Sequence, residues 1–283
     1  MYMKTLLALL SIASVSLASI NPDKTIAPFF KVFGGVEELS DSIYSVEAPY
    51  FINGSLNRNG SWQEVSKLTY LRAKKLANHV VEAWPRKNRF ERKRSFGSAF
   101  HVGGNLILTA YHTLDRQFKS TSCTMFKIRL SKGLDKNKIS CQEVHHCSAE
   151  LDYCLLEMRP QDDGLSLKDL TPPVLSVEPQ RYSQNSEILA IGNVNGFGLH
   201  ASLGKGIARI NGRYFVYAPI FYGNSGGPIF NEDDEIIGLV TAQSSTLYGS
   251  QAVNYATPID AIKIDLEKNL GVDSPIFQQI NFK

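Results

Sequence analysis

The chain has 283 residues, 43% of them hydrophobic and 20% charged, with a formal net charge of +3. That balance belongs to a globular protein and excludes a disordered one, and Lys and Arg spread along the chain give no footing for nucleic-acid binding. The length allows one large domain or two small ones, and a pair of β-barrels sharing one interface fits it.

The chain opens on Met1-Tyr2-Met3-Lys4, a short positive start, followed by apolar and small residues from Leu6 to Leu17. Ser16-Leu17-Ala18 places small residues where a signal peptidase inspects the chain, so residues 1–18 read as a secretory signal cleaved after Ala18. The apolar run is shorter than the ~20 residues that span a bilayer, and no later segment is long enough. An exported protein, secreted or periplasmic, without stable membrane insertion is expected.

Residues 19–78 read as an N-terminal extension or propeptide. Up to about residue 60 the pattern is irregular, with turns at Asn53-Gly54 and Asn59-Gly60 that also form N-x-S sequons. Ser61 followed by Glu64 is a capping-box pattern, and it predicts a helix through about Ala77 with Val65, Leu68, Leu71 and Leu76 on one face. The aromatic-rich Phe29-Phe30-Lys31-Val32-Phe33 is able to bury surface, which favours a belt packed on the fold over a removable segment. His79 to Trp84 has strand character. The basic run from Arg86 to Arg94 reads as an exposed hairpin loop, with a processing site as the lesser alternative.

From Ser95 the pattern is β throughout, and residues 79–283 read as one domain. Short apolar runs separated by turn signals fall at 97–102, 106–110, 125–130, 139–144, 155–158 and 188–191, then at 206–210, 215–218, 228–230, 236–241 and 252–256. About a dozen short strands at this spacing indicate a barrel or sandwich. A last helix is predicted from Pro258 to Leu270, with proline near its first turn and Gly271 past its end. Ile259, Ile262, Ile264 and Leu266 supply its apolar side.

All four cysteines, Cys123, Cys141, Cys147 and Cys154, fall in one short window of the β region. In an exported chain that clustering suggests two structural disulfides between adjacent strands, with three possible pairings. A zinc site with His145 or His146 is the competing reading, but no C-x-x-C pair is present.

The chemistry concentrates at Gly223-Asn224-Ser225-Gly226-Gly227-Pro228. A serine among glycines can sit on a sharp turn that presents Oγ, with the N–H groups of Gly223 and Ser225 aimed at one point as an oxyanion hole requires. The plain alternative is a glycine-rich hairpin with an exposed serine. A serine hydroxyl needs a base, and that base needs an orienting group. His112 ends the apolar run from Leu106 to Tyr111, and Asp152 opens the apolar strand Tyr153 to Leu156, where a carboxylate needs a hydrogen-bond donor. Asp115, Asp162 and Asp163 lack that setting.

Gly97-Ser98-Ala99-Phe100, Leu108-Thr109-Ala110-Tyr111-His112, Leu151-Asp152 through Leu156 and Gly223 to Pro228 together resemble the trypsin-like, double β-barrel serine peptidases. The resemblance covers about residues 79–270. It implies an all-β fold of two six-stranded antiparallel barrels, here with an N-terminal helix-containing extension and a C-terminal helix. It also implies an endopeptidase acting on polypeptides through an acyl-enzyme, without metal or organic cofactor, in which Ser225 is nucleophile, His112 general base and Asp152 its orienter. The Gly223 and Ser225 amides would form the oxyanion hole. Asn224 stands where digestive trypsins carry the aspartate that receives a newly cut N-terminus, so the chain is closer to the HtrA-like and glutamyl-endopeptidase branches. Tyr111 replaces the family's usual small residue before the histidine. By resemblance the primary pocket involves Pro219, Ile220, Val240, Thr241 and Gln243, which offer neither an aspartate for basic side chains nor a histidine for glutamate. An uncharged side chain is expected there. A non-catalytic homologue that binds peptides or proteins is the alternative function. A chaperone-protease of the HtrA type would need a peptide-binding domain after the barrels, which this sequence does not lead us to expect, and a monomer is expected.

Overall fold

The computed structural model describes residues 29–34, 36–40, 42–52, 55–85, 95–114, 123, 125–130, 138–160, 166–178, 182–243 and 253–283, without the side chains of 48–62, 169, 242 and 243. The proposed signal and the Arg86–Arg94 run lie outside these residues. Two closed six-stranded antiparallel barrels dominate. The first comprises β5 (Val80–Trp84), β6 (Gly97–Gly103), β7 (Leu106–Thr109), β8 (Lys127–Leu130), β9 (Ile139–Ser148) and β10 (Tyr153–Met158), hydrogen-bonded in the order β10-β7-β6-β5-β8-β9. The second comprises β11 (Glu187–Asn193), β12 (Leu199–Ile210), β13 (Arg213–Tyr217), β14 (Pro228–Phe230), β15 (Ile236–Gln243) and β16 (Val253–Pro258). Its ring closes where the long β12 pairs with β13 after leaving β11.

Side chains alternate faces along a strand, and here both faces are apolar. Val81, Ala99, Ile107 and Leu156 fill the first barrel, while their neighbours Val80, Phe100, Leu108 and Leu155 point into a layer shared with the second. Ile188 and Ala190 likewise fill the second barrel, and Leu189 and Ile191 join the shared layer. This double burial is why the strands read as continuous apolar runs rather than strict alternations. Each large side chain in that layer contributes about 1.5–3 kcal/mol of burial.

The region before residue 79 is more ordered than the sequence pattern predicts. A strand β1 (Phe29–Lys31) pairs with β12, and β2 (Val36–Glu38), β3 (Ile43–Ile52) and β4 (Ser55–Ser66) form a separate antiparallel sheet. The Asn53-Gly54 turn signal falls between β3 and β4, outside the described residues. Strand β4 absorbs the predicted capping box: Ser61 and Glu64 sit opposite Ala48 and Ser45 in the ladder. The helix α1 instead spans Lys67–Leu76, capped by Ser66, whose Oγ accepts the Thr69 N–H at 3.1 Å. Its buried face carries Tyr70, Ala73 and Leu76, leaving Leu68 78% and Leu71 45% exposed. Arg72 holds the helix to the second barrel through Asp234 (2.8 Å), Glu187 (3.0 Å) and the Asn231 carbonyl.

The C-terminal helix α2 spans Ile259–Leu270, with Pro258 at its N-cap and Gly271 at its C-cap, where φ is +84°. Ile259, Ile262 and Leu266 are buried, but Ile264 is 64% exposed, because positions 259, 262 and 266 share a face that excludes 264. Asp265 on α2 accepts hydrogen bonds from Tyr153 Oη (2.7 Å) and His146 Nε2 (2.8 Å) of the first barrel. Burial, then this hydrogen bond, pushes the Tyr153 phenol far above its ordinary value. Disulfides join Cys123 to Cys141 and Cys147 to Cys154, the second across directly paired residues of β9 and β10. With every sulfur so engaged, none is a thiolate for zinc. His145 pairs with Glu157 and His146 with Asp265.

The corrected helix face gives a direct stability comparison. Leu76→Ala is expected to lower unfolding free energy by about 2–5 kcal/mol, whereas Leu68→Ala should change it by less than about 0.5 kcal/mol. Urea unfolding of both variants measures this, and equal losses would contradict the assigned face.

Candidate active site

Tyr111 to Thr113 form a short 3-10 turn just after β7, so the strand end fixes the position of His112. The turn is stitched to Asp152 by three hydrogen bonds. The His112 imidazole meets Asp152 Oδ2 through Nδ1 at 2.7 Å, the His112 backbone N–H donates to Oδ1 at 3.0 Å, and the Tyr111 N–H donates to the Asp152 carbonyl at 3.2 Å. Asp152 takes φ +56°, a left-handed conformation that Asp tolerates better than most residues. A carboxylate at Nδ1 assigns the proton to that nitrogen and leaves Nε2 as an acceptor. The His112 side chain is 33% exposed and that of Asp152 19%.

Ser225 comes from the opposite barrel, on the turn between β13 and β14. Its carbonyl accepts the Ser98 N–H at 2.8 Å, and the Gly226 N–H donates to the Val240 carbonyl at 2.8 Å. The Ser98 hydroxyl donates to the Gly223 carbonyl at 2.7 Å and accepts the Asn193 N–H at 2.8 Å. Upstream, the Tyr222 carbonyl accepts from Asn195 N–H and the Phe221 carbonyl from Asn224 N–H, at 2.8 and 3.0 Å. With the carbonyls of residues 221 to 223 thus engaged, none of the described residues accepts from the N–H of Gly223 or Ser225. Two free amides beside a serine are what an anionic oxygen would bind.

The glycines are obligatory here. Gly223 and Gly226 have φ of +97° and +83°. A Cβ on Gly223 would lie 2.2 Å from the Asn193 carbonyl oxygen, and one on Gly226 would lie 2.2 Å from that of Ser98. Asn224 is fully buried, and neither atom of its side-chain amide has a hydrogen-bond partner among the described residues. A neutral amide there avoids the much larger penalty of an unpaired buried carboxylate.

Both halves line one cleft of about 720 Å³, bounded by Tyr111, His112, Ala149, Asp152, Ile220, Phe221, Tyr222, Ser225, Val240 and Thr241. Ser225 and His112 share it without a hydrogen bond between them among the described residues. Nucleophile–base contacts of this kind are often loose until substrate is bound. Of the pocket residues expected from sequence, Ile220, Val240 and Thr241 line the cleft. Pro219 is buried behind it with its carbonyl held by Ser202 Oγ at 2.6 Å, and the Gln243 side chain lies outside the description. Tyr111 forms part of the wall and packs on the first barrel's core.

The model of the trypsin-like peptidase domain family matches residues 97–239, half of the chain. The chain belongs to the trypsin-like peptidases. Probable periplasmic DegP-like serine endoproteases of Pseudomonas putida (strain W619) and Halomonas elongata are 28% and 26% identical to it over 203 and 200 residues, which is 68% and 66% of this chain. The chain spans about 38% of the length of the first and 37% of the second. Among solved structures, the M. tuberculosis protease Rv3671c in its active form superposes with a TM-score of 0.56 at 15% identity, over 70% of this chain and 83% of that one. The serine endoprotease from Yersinia pestis gives 0.54 at 22% identity, over 72% and 67%. These likenesses share the fold of this trypsin-like chain.

Sequence reasoning missed Ser98, Ala149, Phe221 and Tyr222 as site residues. Phe221 and Tyr222 directly precede Gly223, so adjacency could have found them. Ser98 acts through a buried hydroxyl that no spacing announces. Behind the loop, His200 is buried on β12, its Nδ1 on the Gly198 carbonyl at 2.9 Å. Burial pushes its pKa down from 6.5 to about 4.

An imidazole protonated near pH 6.5 when unfolded but only near 4 when folded binds more protons in the unfolded chain between those values. Stability is therefore full above pH 6.5 and falls on acidification, by up to about 3 kcal/mol from this group. His79 and His101, also lowered by burial, act in the same direction. Urea unfolding across the window measures the slope, and His200→Asn should flatten it. An unchanged slope would remove His200 as its source.

Proposed function

We propose that the protein is an exported serine endopeptidase that hydrolyses peptide bonds through an acyl-enzyme, with Ser225, His112 and Asp152 as its triad. One observation carries the reading: His112 is clamped at Nδ1 and at its backbone N–H by Asp152, on the wall of the cleft that also holds Ser225. The periplasmic DegP-like relatives and family membership support it.

In this reading His112 Nε2 takes the proton of Ser225 Oγ as that oxygen attacks the carbonyl carbon of the scissile bond. Negative charge moves to the carbonyl oxygen, which the Gly223 and Ser225 amides receive, each worth roughly 3 kcal/mol in the transition state. The imidazolium is stabilised by Asp152 and then protonates the leaving amine. Water, deprotonated by the same Nε2, releases the acyl group and restores Ser225. Ile220, Phe221 and Val240 give the cleft an apolar wall, which supports an uncharged side chain in the primary pocket. Residues 1–18 direct export, consistent with the relatives' periplasmic names. No helix among the described residues is long and apolar enough to cross a membrane.

A fluorophosphonate probe should label Ser225, and Ser225→Ala should abolish both labelling and proteolysis. Asp152→Asn should lower kcat by about 10⁴-fold, through loss of the correct tautomer. Undiminished labelling of the alanine variant would remove Ser225 as the nucleophile, and a wild-type chain that the probe leaves untouched while it binds peptides would replace the enzyme by a binding module.

A further inference from the structure

The N-terminal strand β1 reaches the loop that carries the free amides. Phe29 pairs with Ser202, Phe30 with Ala201 and Lys31 with His200 on β12, and the ladder ends with Val32 N–H on the Leu199 carbonyl at 3.1 Å. Phe30 and Val32 are fully buried in the layer between the barrels, and Tyr70 Oη on α1 donates to the Val32 carbonyl at 3.2 Å. Phe29 itself is 8% exposed and points elsewhere. Its ring stacks on His200 at 5.3 Å and leans on Phe221 at 4.6 Å between centroids.

Phe221 links β1 to the site. It lines the cleft, and its carbonyl accepts the Asn224 N–H, closing the turn Phe221–Asn224 in which Gly223 lies. Ser202, the partner of Phe29, holds the start of the same loop through the Pro219 carbonyl. The loop is therefore gripped at 219 by the strand that β1 extends and at 221 by a β1 side chain. Phe29 is not among the residues lining the cleft, so it supports the loop from behind and does not plug the cleft.

We propose that Phe29 is a positioning residue for the oxyanion loop, so that β1 is a retained working part of the enzyme and not a propeptide removed on activation. This rests on the serine-peptidase reading above. Without the Phe29 ring, the Phe221 side chain loses a packed neighbour, and the hold on the Phe221–Asn224 turn that directs the Gly223 amide is weakened. Phe29 does not line the cleft, and Ile220, Val240 and Thr241 still wall it without that ring, so the loss falls on turnover more than on binding.

The test uses the full chain, a chromogenic peptide with an uncharged residue before the cleaved bond, and the fluorophosphonate probe. Intact mass of the labelled wild type should include residue 29. Phe29→Ala should lower kcat by about tenfold or more, up to the ~10²–10³-fold that complete loss of one oxyanion donor causes, with KM changed less than about twofold. Phe29→Leu should restore most of kcat, and in a Phe221→Ala background Phe29→Ala should add little further loss. Ile128→Ala, inside the first barrel and away from both Phe221 and the layer between the barrels, should lower Tm and leave kcat unchanged. If Phe29→Ala does not fold, a graded loss in kcat from Phe29→Leu to Phe29→Val carries the same expectation. Three results would overturn the proposal: labelled enzyme that begins after residue 31, unchanged kcat in the Phe29 variants, or a loss in Ile128→Ala as large as theirs. A wild type that the probe does not label would instead bring down the enzyme reading itself, and this proposal with it.

Discussion

The relation between the two barrels depends on one layer of apolar side chains. His112 and Asp152 stand on the first barrel and Ser225 on the second, so no single element holds the three groups. Their separation is set by how Phe100, Leu108 and Leu155 pack against Leu189, Ile191 and Leu239. Packing at near-crystalline density transmits small displacements and resists gradual deformation. A cavity opened in that layer would shift one half of the site against the other while leaving each half intact.

Directional contacts then fix what non-directional packing only approximates. Ser98 belongs to the first barrel, yet its N–H and hydroxyl both engage the Ser225 loop, with Asn193 of the second barrel completing the link. These bonds are buried, where a missing partner leaves an unsatisfied group and not a hydrated one. On the other side, Thr257 Oγ1 donates to the Leu151 carbonyl at 2.5 Å and Arg213 to that of Glu150 at 2.7 Å, joining the second barrel to the turn that carries Asp152. The cleft thus lies between two sets of cross-barrel ties. Both are anchored in strands whose positions the core already decides.

The barrel strands were legible because turn residues punctuate apolar runs from residue 97 onward, and the observed strands extend those runs by a few residues at most at nearly every site. Strand β12 is the exception: its first half, Leu199 to Lys205, mixes His200, Ser202 and Gly204 among apolar residues and hides its periodicity. The meeting of His112, Asp152 and Ser225 in one cleft was legible because local context sufficed, a strand end or a glycine turn. The N-terminal region was not. Its strands carry polar residues on an exposed face, and the Ser61/Glu64 pattern imitates a helix start inside a β ladder. Helix α1 was found, but Val65 belongs to β4, and the face that packs carries Tyr70, Ala73 and Leu76 instead of Leu68 and Leu71. Ser98 and Phe29 act only through the folded chain, and sequence spacing carries no trace of such contacts.

The Cys147–Cys154 bridge encloses the turn that presents Asp152, with Asp152 two residues from its second sulfur. That places the redox history of the chain inside the geometry of the site. A chain still in a reducing compartment carries the same histidine, aspartate and serine but lacks the covalent clip around the aspartate's turn. Oxidation completes the enclosure, and in a protein that crosses from a reducing to an oxidising space it does so only on the far side.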